Sequence, residues 1–165
     1  MEHVSFKKIL DSEKQLDALL VKLGIPIAKH DRVHVAYNLI TMLEEARKDD
    51  AKRKSFLETN NKSGEVTLSL SDIQVIYNLI PYLKDQDERI VKGKFKRILN
   101  GTLSSQETPQ NSIARNTLFE LSLFAYLKAA CMSSELCDPN PDLLLRNCGR
   151  NYYIQCKRVY REKSG

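Results

Sequence analysis

Apolar residues recur at helical spacing through most of the first hundred residues, and this periodicity restricts that part of the chain to a helical fold. The first helix is expected to follow Ser5, which can cap it, and to end at Gly24. A second pattern runs over residues 31–50, where an apolar stripe gives way to charged residues at the C-terminal end. We therefore predict a helical region over residues 1–100.

Turn-forming and capping residues divide the rest of this region. Residues 59–65 are rich in turn chemistry, and Ser71 is expected to cap the helix that follows. Pro81 should kink or divide that helix, because proline removes a backbone N–H from the hydrogen-bond ladder. A last helix is predicted over residues 87–99 and stops before Gly101.

The pattern changes after this region. Residues 101–112 are polar, lack periodicity and contain Pro109, which predicts a linker. A strongly apolar helix is then expected to open at Asn116 or Thr117 and to run to Cys131.

Two short apolar runs come after a loop rich in Ser, Asp, Asn and Pro. They cover residues 142–145 and 152–157, and a turn over residues 147–149 separates them, so both are strand candidates. The predicted fold class is thus α+β or α/β, with a helical region at 1–100, a linker at 101–112 and a helix–strand–turn–strand region at 113–165.

Composition indicates a soluble globular protein, with 42% hydrophobic and 28% charged residues. No apolar run approaches the length of a membrane span, and the N-terminus lacks the pattern of a signal peptide, so no membrane contact and a cytoplasmic location are expected. The net charge of +5 supports nucleic-acid binding only weakly. A basic run is either a solvated face or a phosphate-contacting surface; it comprises Lys92, Lys94, Lys96 and Arg97.

Several other kinds of site find no support in the sequence. The four cysteines lack the spacing of a zinc site and are expected to be reduced thiols. Neither a glycine-rich phosphate loop nor a Ser-His-Asp set nor a metal-spaced histidine cluster is evident. His30 and His34 share a helix face and are expected to be surface or core residues.

Glu120 lies in the most apolar helix of the chain, between Phe119 and Leu121. A buried carboxylate costs several kcal/mol unless it is paired, protonated or bound to a cation. Its ordinary explanation is a position at the rim of the core, or an ion pair with Arg115 or Lys157.

Three further polar residues lie at the ends of the strand candidates. Asp142 follows a proline, which cannot donate to a sheet ladder and so marks a strand start. Gln155 and Lys157 are two residues apart, which places them on one face of a continuous strand. Antiparallel pairing across the turn should bring Asp142 to that face. Each residue also has a structural explanation, since an aspartate in such a loop commonly caps backbone amides.

Taken in order, FEL on a helix, PDLLL opening a strand and YYIQCKR on the next strand resemble the PD-(D/E)xK nuclease superfamily. The similarity is to its Mrr-like restriction endonucleases, which carry Gln-x-Lys in the last motif, and it covers about residues 113–160. It implies a helical N-terminal region followed by a partial restriction-endonuclease-like α-β-β core.

The resemblance implies a metal-dependent endonuclease that hydrolyses DNA phosphodiester bonds, in the setting of restriction or antiviral (phage) defence. Mg²⁺ or Mn²⁺ would be the cofactor, held by Glu120, Asp142, the Gln155 side-chain oxygen and the Cys156 backbone carbonyl. Lys157 would orient or deprotonate the attacking water.

The same fold requires at least one more helix and strand after the Gln-x-Lys strand. About eight residues follow Lys157, so truncation after that strand is expected. Two other interpretations therefore stay open. One is a non-catalytic helical interaction module with an incomplete or inactive nuclease core, and the other is a basic DNA-binding protein that acts through the run at residues 92–97. Under the nuclease interpretation, the N-terminal helices serve in homo-oligomerisation, regulation or DNA docking.

Overall fold

The computed structural model describes residues 6–59, 63–103 and 106–157. Within these ranges the protein is a mixed α+β structure, with α-helices followed by a small antiparallel sheet near the C-terminal end. The helices are α1 (Phe6–Lys22), α2 (Arg32–Ala46), α3 (Asp50–Thr59), α4 (Ser63–Leu79), α5 (Glu88–Leu99) and α6 (Ile113–Ala129). The strands are β1 (Ser133–Leu136), β2 (Leu143–Asn147) and β3 (Arg150–Ile154).

The first two helices follow the sequence pattern. α1 ends before Gly24, whose φ of +61° is the left-handed conformation that favours glycine after a helix. The side chain of Asp31 caps α2 by accepting hydrogen bonds from the backbone N–H groups of Val33 and His34 at 3.0 and 2.9 Å. The cap predicted at Ser5 lies outside the described residues.

The middle of the helical region differs from the prediction. α2 ends at Ala46, and the charged residues beyond it form a separate helix, α3, in which Asp49 caps the first turn by accepting from Ala51 and Lys52. The turn predicted at 59–65 is wrong at Ser63, where α4 already begins, and Ser71 lies inside α4 rather than at its start. Apolar residues at 66, 70 and 73 carry helical periodicity back past Ser71, and this burial outweighs the capping preference of a serine.

The later helices confirm most of the predicted helix starts and ends. Pro81 ends α4 in a short 3₁₀ turn over Ile80–Tyr82, and α5 runs from Glu88 to Leu99 with Asp87 as its cap. α6 begins at Ile113, three residues before the predicted start at Asn116.

The sheet contains a strand that was not predicted. β1, in the segment taken for a loop, pairs antiparallel with β2, and β2 pairs antiparallel with β3, so that β2 is central. The turn between β2 and β3 is at Cys148 and Gly149, which have φ values of +49° and +72° and so suit a tight hairpin. β3 ends at Ile154, so the prediction of a strand through Lys157 is wrong for its last three residues.

A continuous hydrophobic core joins the two parts of the chain. α6 packs on α4 and α5 and also contacts β1, and the buried cluster extends from Ile9 in α1 to Leu143 in β2. Among the described residues, none of the helices combines the length and the apolar character needed to cross a membrane.

Candidate functional site

Glu120 lies on the side of α6 that faces α5, beside the buried Leu121 and Phe124. Its side chain is 12% exposed, and its Oε2 accepts a hydrogen bond from Nζ of Lys94 at 2.7 Å. The partners predicted for this carboxylate, Arg115 and Lys157, are wrong because Arg115 pairs with Glu107 and the Lys157 side chain is exposed.

The helix that carries Glu120 is less buried than its composition suggests. Phe119 and Tyr126 are 46% and 70% exposed on the opposite side of α6. The apolar composition of α6 therefore does not mean burial on all sides, since the helix has one face in the core and one apolar face in solvent.

Lys94 is the functional candidate that the sequence analysis missed. Its side chain is 1% exposed, and it shares the buried face of α5 with Val91, Phe95 and Ile98. These positions follow the i, i+3, i+4, i+7 spacing of a core-facing stripe, so the signal was present in the sequence. Lys94 therefore cannot act as the surface phosphate contact that the basic run at 92–97 suggested.

Asp142 lies between the ends of β1 and β3, immediately before β2. Its backbone N–H donates to the carbonyl of Ile154 at 3.0 Å, and its own carbonyl accepts from the N–H of Cys137 at 3.0 Å. Its side-chain Oδ2 accepts from the backbone N–H of Cys156 at 2.6 Å. Asp142 thus lies next to the Gln-x-Lys segment, and its carboxylate also orders the chain after β3.

The end of β3 has a physical cause in the strand register. Leu143 pairs with Ile154, so a continued ladder would place Pro141 opposite Cys156. Proline has no N–H to donate, and the carboxylate of Asp142 takes the Cys156 N–H in place of a backbone partner.

Gln155 and Lys157 lie beyond the ladder and are exposed. Gln155 donates from Nε2 to Oδ1 of Asn140 at 3.3 Å. The prediction that Gln155 and Lys157 share one face of a strand is wrong, because the regular alternation of side chains stops with the strand at Ile154.

The pKa of the Cys156 thiol depends on burial and on three charged groups. The pKa of this thiol is raised to about 11, mainly by burial and in addition by the carboxylates of Asp142 and Glu120, while the ammonium of Lys94 lowers it. Burial likewise raises the pKa of the Cys137 thiol, as does Glu135, and Lys94 lowers it. Glu120, Asp142 and Lys94 therefore all influence the thiol of Cys156. Cys156 is protonated at neutral pH and is no nucleophile.

The carboxylates of Glu120 and Asp142 each keep one oxygen available for a ligand. Within the described ranges, each carboxylate has one oxygen engaged, Oε2 of Glu120 with Lys94 and Oδ2 of Asp142 with Cys156, and the other oxygen has no protein partner. Mg²⁺ binds such carboxylate oxygens singly and retains several waters. No group of three or more His, Cys, Asp or Glu side chains able to hold a metal is found in the described part of the chain. The predicted ligand set contains only two such side chains, its other donors being an amide and a backbone carbonyl.

The cysteines are free thiols; Cys131 and Cys148 are exposed, and Cys137 and Cys156 are half-buried. A functional assignment rests on the geometry around Cys156. Comparisons of the chain with family models, with curated proteins and with solved structures each found no match.

Proposed function

We propose that this chain carries the metal-binding and catalytic residues of a divalent-metal-dependent nuclease that hydrolyses DNA phosphodiester bonds, with restriction or phage defence as its setting. The observation that carries the proposal is that Asp142 binds the backbone N–H of Cys156 at 2.6 Å and that the carboxylates of Asp142 and Glu120 both raise the pKa of the Cys156 thiol, although they come from a strand start and from a helix. The order of elements supports it as well, since a helix with an acid precedes a hairpin with Pro-Asp at one strand start and Gln-x-Lys after the partner strand.

Each residue has a distinct task in this proposal. Oδ1 of Asp142 and Oε1 of Glu120 are the anionic ligands for Mg²⁺ or Mn²⁺, with the Gln155 side-chain oxygen and the Cys156 carbonyl as neutral ones. When bound, the cation lowers the pKa of the attacking water and neutralises charge on the phosphate. Lys157, whose side chain is exposed and close to these ligands in the sequence, orients that water, or takes its proton when present as the neutral amine.

Metal-dependent cleavage of plasmid DNA tests the proposal. The protein in its natural full length is expected to cleave with Mg²⁺ or Mn²⁺ and to be inactive with chelator. Asp142→Asn and Lys157→Ala should each abolish cleavage, because one removes the main anionic ligand and the other the only basic group assigned to the water. Asparagine keeps an oxygen that can accept from the Cys156 N–H, so loss of activity with an unchanged thermal midpoint separates chemistry from folding.

Asp85→Asn and Lys84→Ala are matched controls, because both side chains are exposed and lie before α5, away from β3 in the chain. Both controls should retain activity. Full cleavage by Asp142→Asn and Lys157→Ala would end the assignment.

A second candidate is a non-catalytic interaction module, which the solvent-facing apolar side of α6 favours. Phe119 and Tyr126 there border Ser122 and Val75, in shallow grooves between α4 and α6. If the wild-type protein binds neither Mg²⁺ nor Mn²⁺ and cleaves no DNA, this second function is preferred.

A further inference from the structure

The ion pair between Lys94 and Glu120 joins the helical N-terminal region to the candidate nuclease site. Lys94 belongs to α5 and Glu120 to α6, and 26 residues separate them in the chain. The ammonium is 1% exposed and the carboxylate 12%, so whatever solvent reaches the pair does so at Glu120. A buried ammonium requires such a partner, because an unpaired buried charge is strongly destabilising.

The position of Lys94 relative to the other site residues is fixed by more than one neighbour. Its charge acts on the thiols of both Cys137 and Cys156, which follow the two outer strands and whose backbone N–H groups both donate to Asp142. Gly93, the residue before it, lies close to the sheet, since a Cβ there would be 3.5 Å from Oδ2 of Asp138. The contact of 2.7 Å with Oε2 of Glu120 fixes where the ammonium of Lys94 lies.

The positive charge of Lys94 changes the electrostatic potential that a divalent cation encounters at Glu120. Glu120 and Asp142 contribute two negative charges, and Lys94 cancels one of them at a contact distance of 2.7 Å from Glu120. A cation that approaches Glu120 must share the carboxylate with the ammonium and is repelled by it.

We propose that Lys94 is a built-in cation of the site, which neutralises Glu120 when no divalent ion is bound and competes with that ion for Glu120. Lys94 is a positioning residue that weakens metal binding, and it makes the N-terminal helical region part of the site. This inference rests on the proposed function, because it takes Glu120 and Asp142 as metal ligands.

Calorimetric titration with Mn²⁺ in the absence of DNA tests this role on the full chain. Lys94→Met, which keeps the length of the side chain and removes its charge, should bind Mn²⁺ about tenfold more tightly than the wild type or better, as loss of one repulsive charge implies. Lys96→Met is the matched control on the same helix, where the side chain is exposed, and should leave the affinity unchanged.

A double-mutant cycle tests whether the change in Mn²⁺ affinity comes from the pair of Lys94 and Glu120. In a Glu120→Gln background, Lys94→Met should have a much smaller effect on Mn²⁺ affinity, because the shared carboxylate is gone. If Lys94→Met does not fold, Lys94→Gln, which can still donate to Glu120, replaces it with the same expected order of affinities.

The outcomes separate this inference from the function on which it rests. Mn²⁺ binding that Asp142→Asn abolishes, but that Lys94→Met leaves unchanged or weakens, overturns the role of Lys94 and retains the metal site. Mn²⁺ binding that is absent from all variants, or that Asp142→Asn leaves intact, removes the metal site itself and the role of Lys94 with it.

Discussion

Individual charged residues in this protein are buried together with their partners, and His34 is the clearest case outside the candidate site. Its imidazole is fully buried, with Nδ1 2.7 Å from Oδ2 of Asp31 and Nε2 2.8 Å from Oδ1 of Asp17. The hydrogen bond to Asp31 raises the pKa of His34 above its ordinary value, with help from Asp17, while burial opposes both. Asp17 also faces Lys29, which is 3.5 Å away. His34 thereby connects α1, through Asp17, to Asp31, the cap of α2.

The stability of the protein should depend on pH through this residue. A raised pKa in the folded state means that the contribution of His34 is fully present below the unfolded pKa of about 6.5 and is lost as pH rises through the folded value. The free energy of unfolding, measured by denaturant titration at a series of pH values, should therefore fall over that window. His34→Gln should remove this part of the dependence.

His30→Gln is the control, because His30 is exposed on the short turn before α2. It should follow the wild-type profile. A His34→Gln profile that keeps the full wild-type slope would contradict the role given to the imidazole.

At the scale of single elements, the junction between α5 and α6 sets the geometry that brings Lys94 to Glu120. Gly101 follows α5 and packs against the first turn of α6, since a Cβ there would lie 2.1 Å from the Cβ of Ala114 and 3.2 Å from the carbonyl of Ile98. Only a residue without a side chain fits there, because both neighbours belong to packed helices.

Gly101→Ala should accordingly destabilise the protein by about 1–3 kcal/mol, the usual cost of overpacking a well-packed contact. Gly64→Ala is the matched control, since nothing lies within 4 Å of a Cβ at Gly64 and alanine is the better helix former. Denaturant unfolding of the two variants should show a lower midpoint for Gly101→Ala and an equal or higher one for Gly64→Ala. Equal stability of Gly101→Ala and the wild type would mean that α5 and α6 can separate at little cost.

At the scale of the whole molecule, a buried ion cluster fastens residues 101–112 to the helices. The Arg32 side chain is 1% exposed and bonds to Asp72 at 2.7 Å, to the carbonyl of Thr102 at 2.9 Å and to Glu107. Glu107 in turn pairs with Arg115 at the start of α6. The segment predicted as a linker therefore carries a carboxylate that α2 and α6 both bind, and the division of the chain into regions stays a prediction.

Arg32→Met should cost about 3–5 kcal/mol of unfolding free energy, because it leaves two largely buried carboxylates without this partner. It should also speed proteolysis within residues 101–112. Arg47→Met, which removes an exposed arginine that pairs with nearby Glu44 at the end of α2, should change stability by less than about 1 kcal/mol. Similar losses in the two variants would show that the cluster is not what holds the segment.

The sequence by itself determined most of the helices and the hairpin of β2 and β3, since these depend on local periodicity, capping and turn chemistry. Asp31, Pro81, Asp87 and Gly149 each act on residues only a few positions away, so their effects could be predicted. Local signals failed where burial extended a helix past Ser71 and where Pro141 ended the pairing of β3 before Gln155.

Only the tertiary structure decided which charges meet. Lys94 pairs with Glu120 across 26 residues, and Arg32 with Asp72 and Glu107 across 40 and 75. A helix pattern shows that Lys94 faces the core, but it does not show which element packs against that face. Ion-pair energies fall off within a few ångströms in water and strengthen on burial, so the partner is set by how α5, α6 and the sheet pack together.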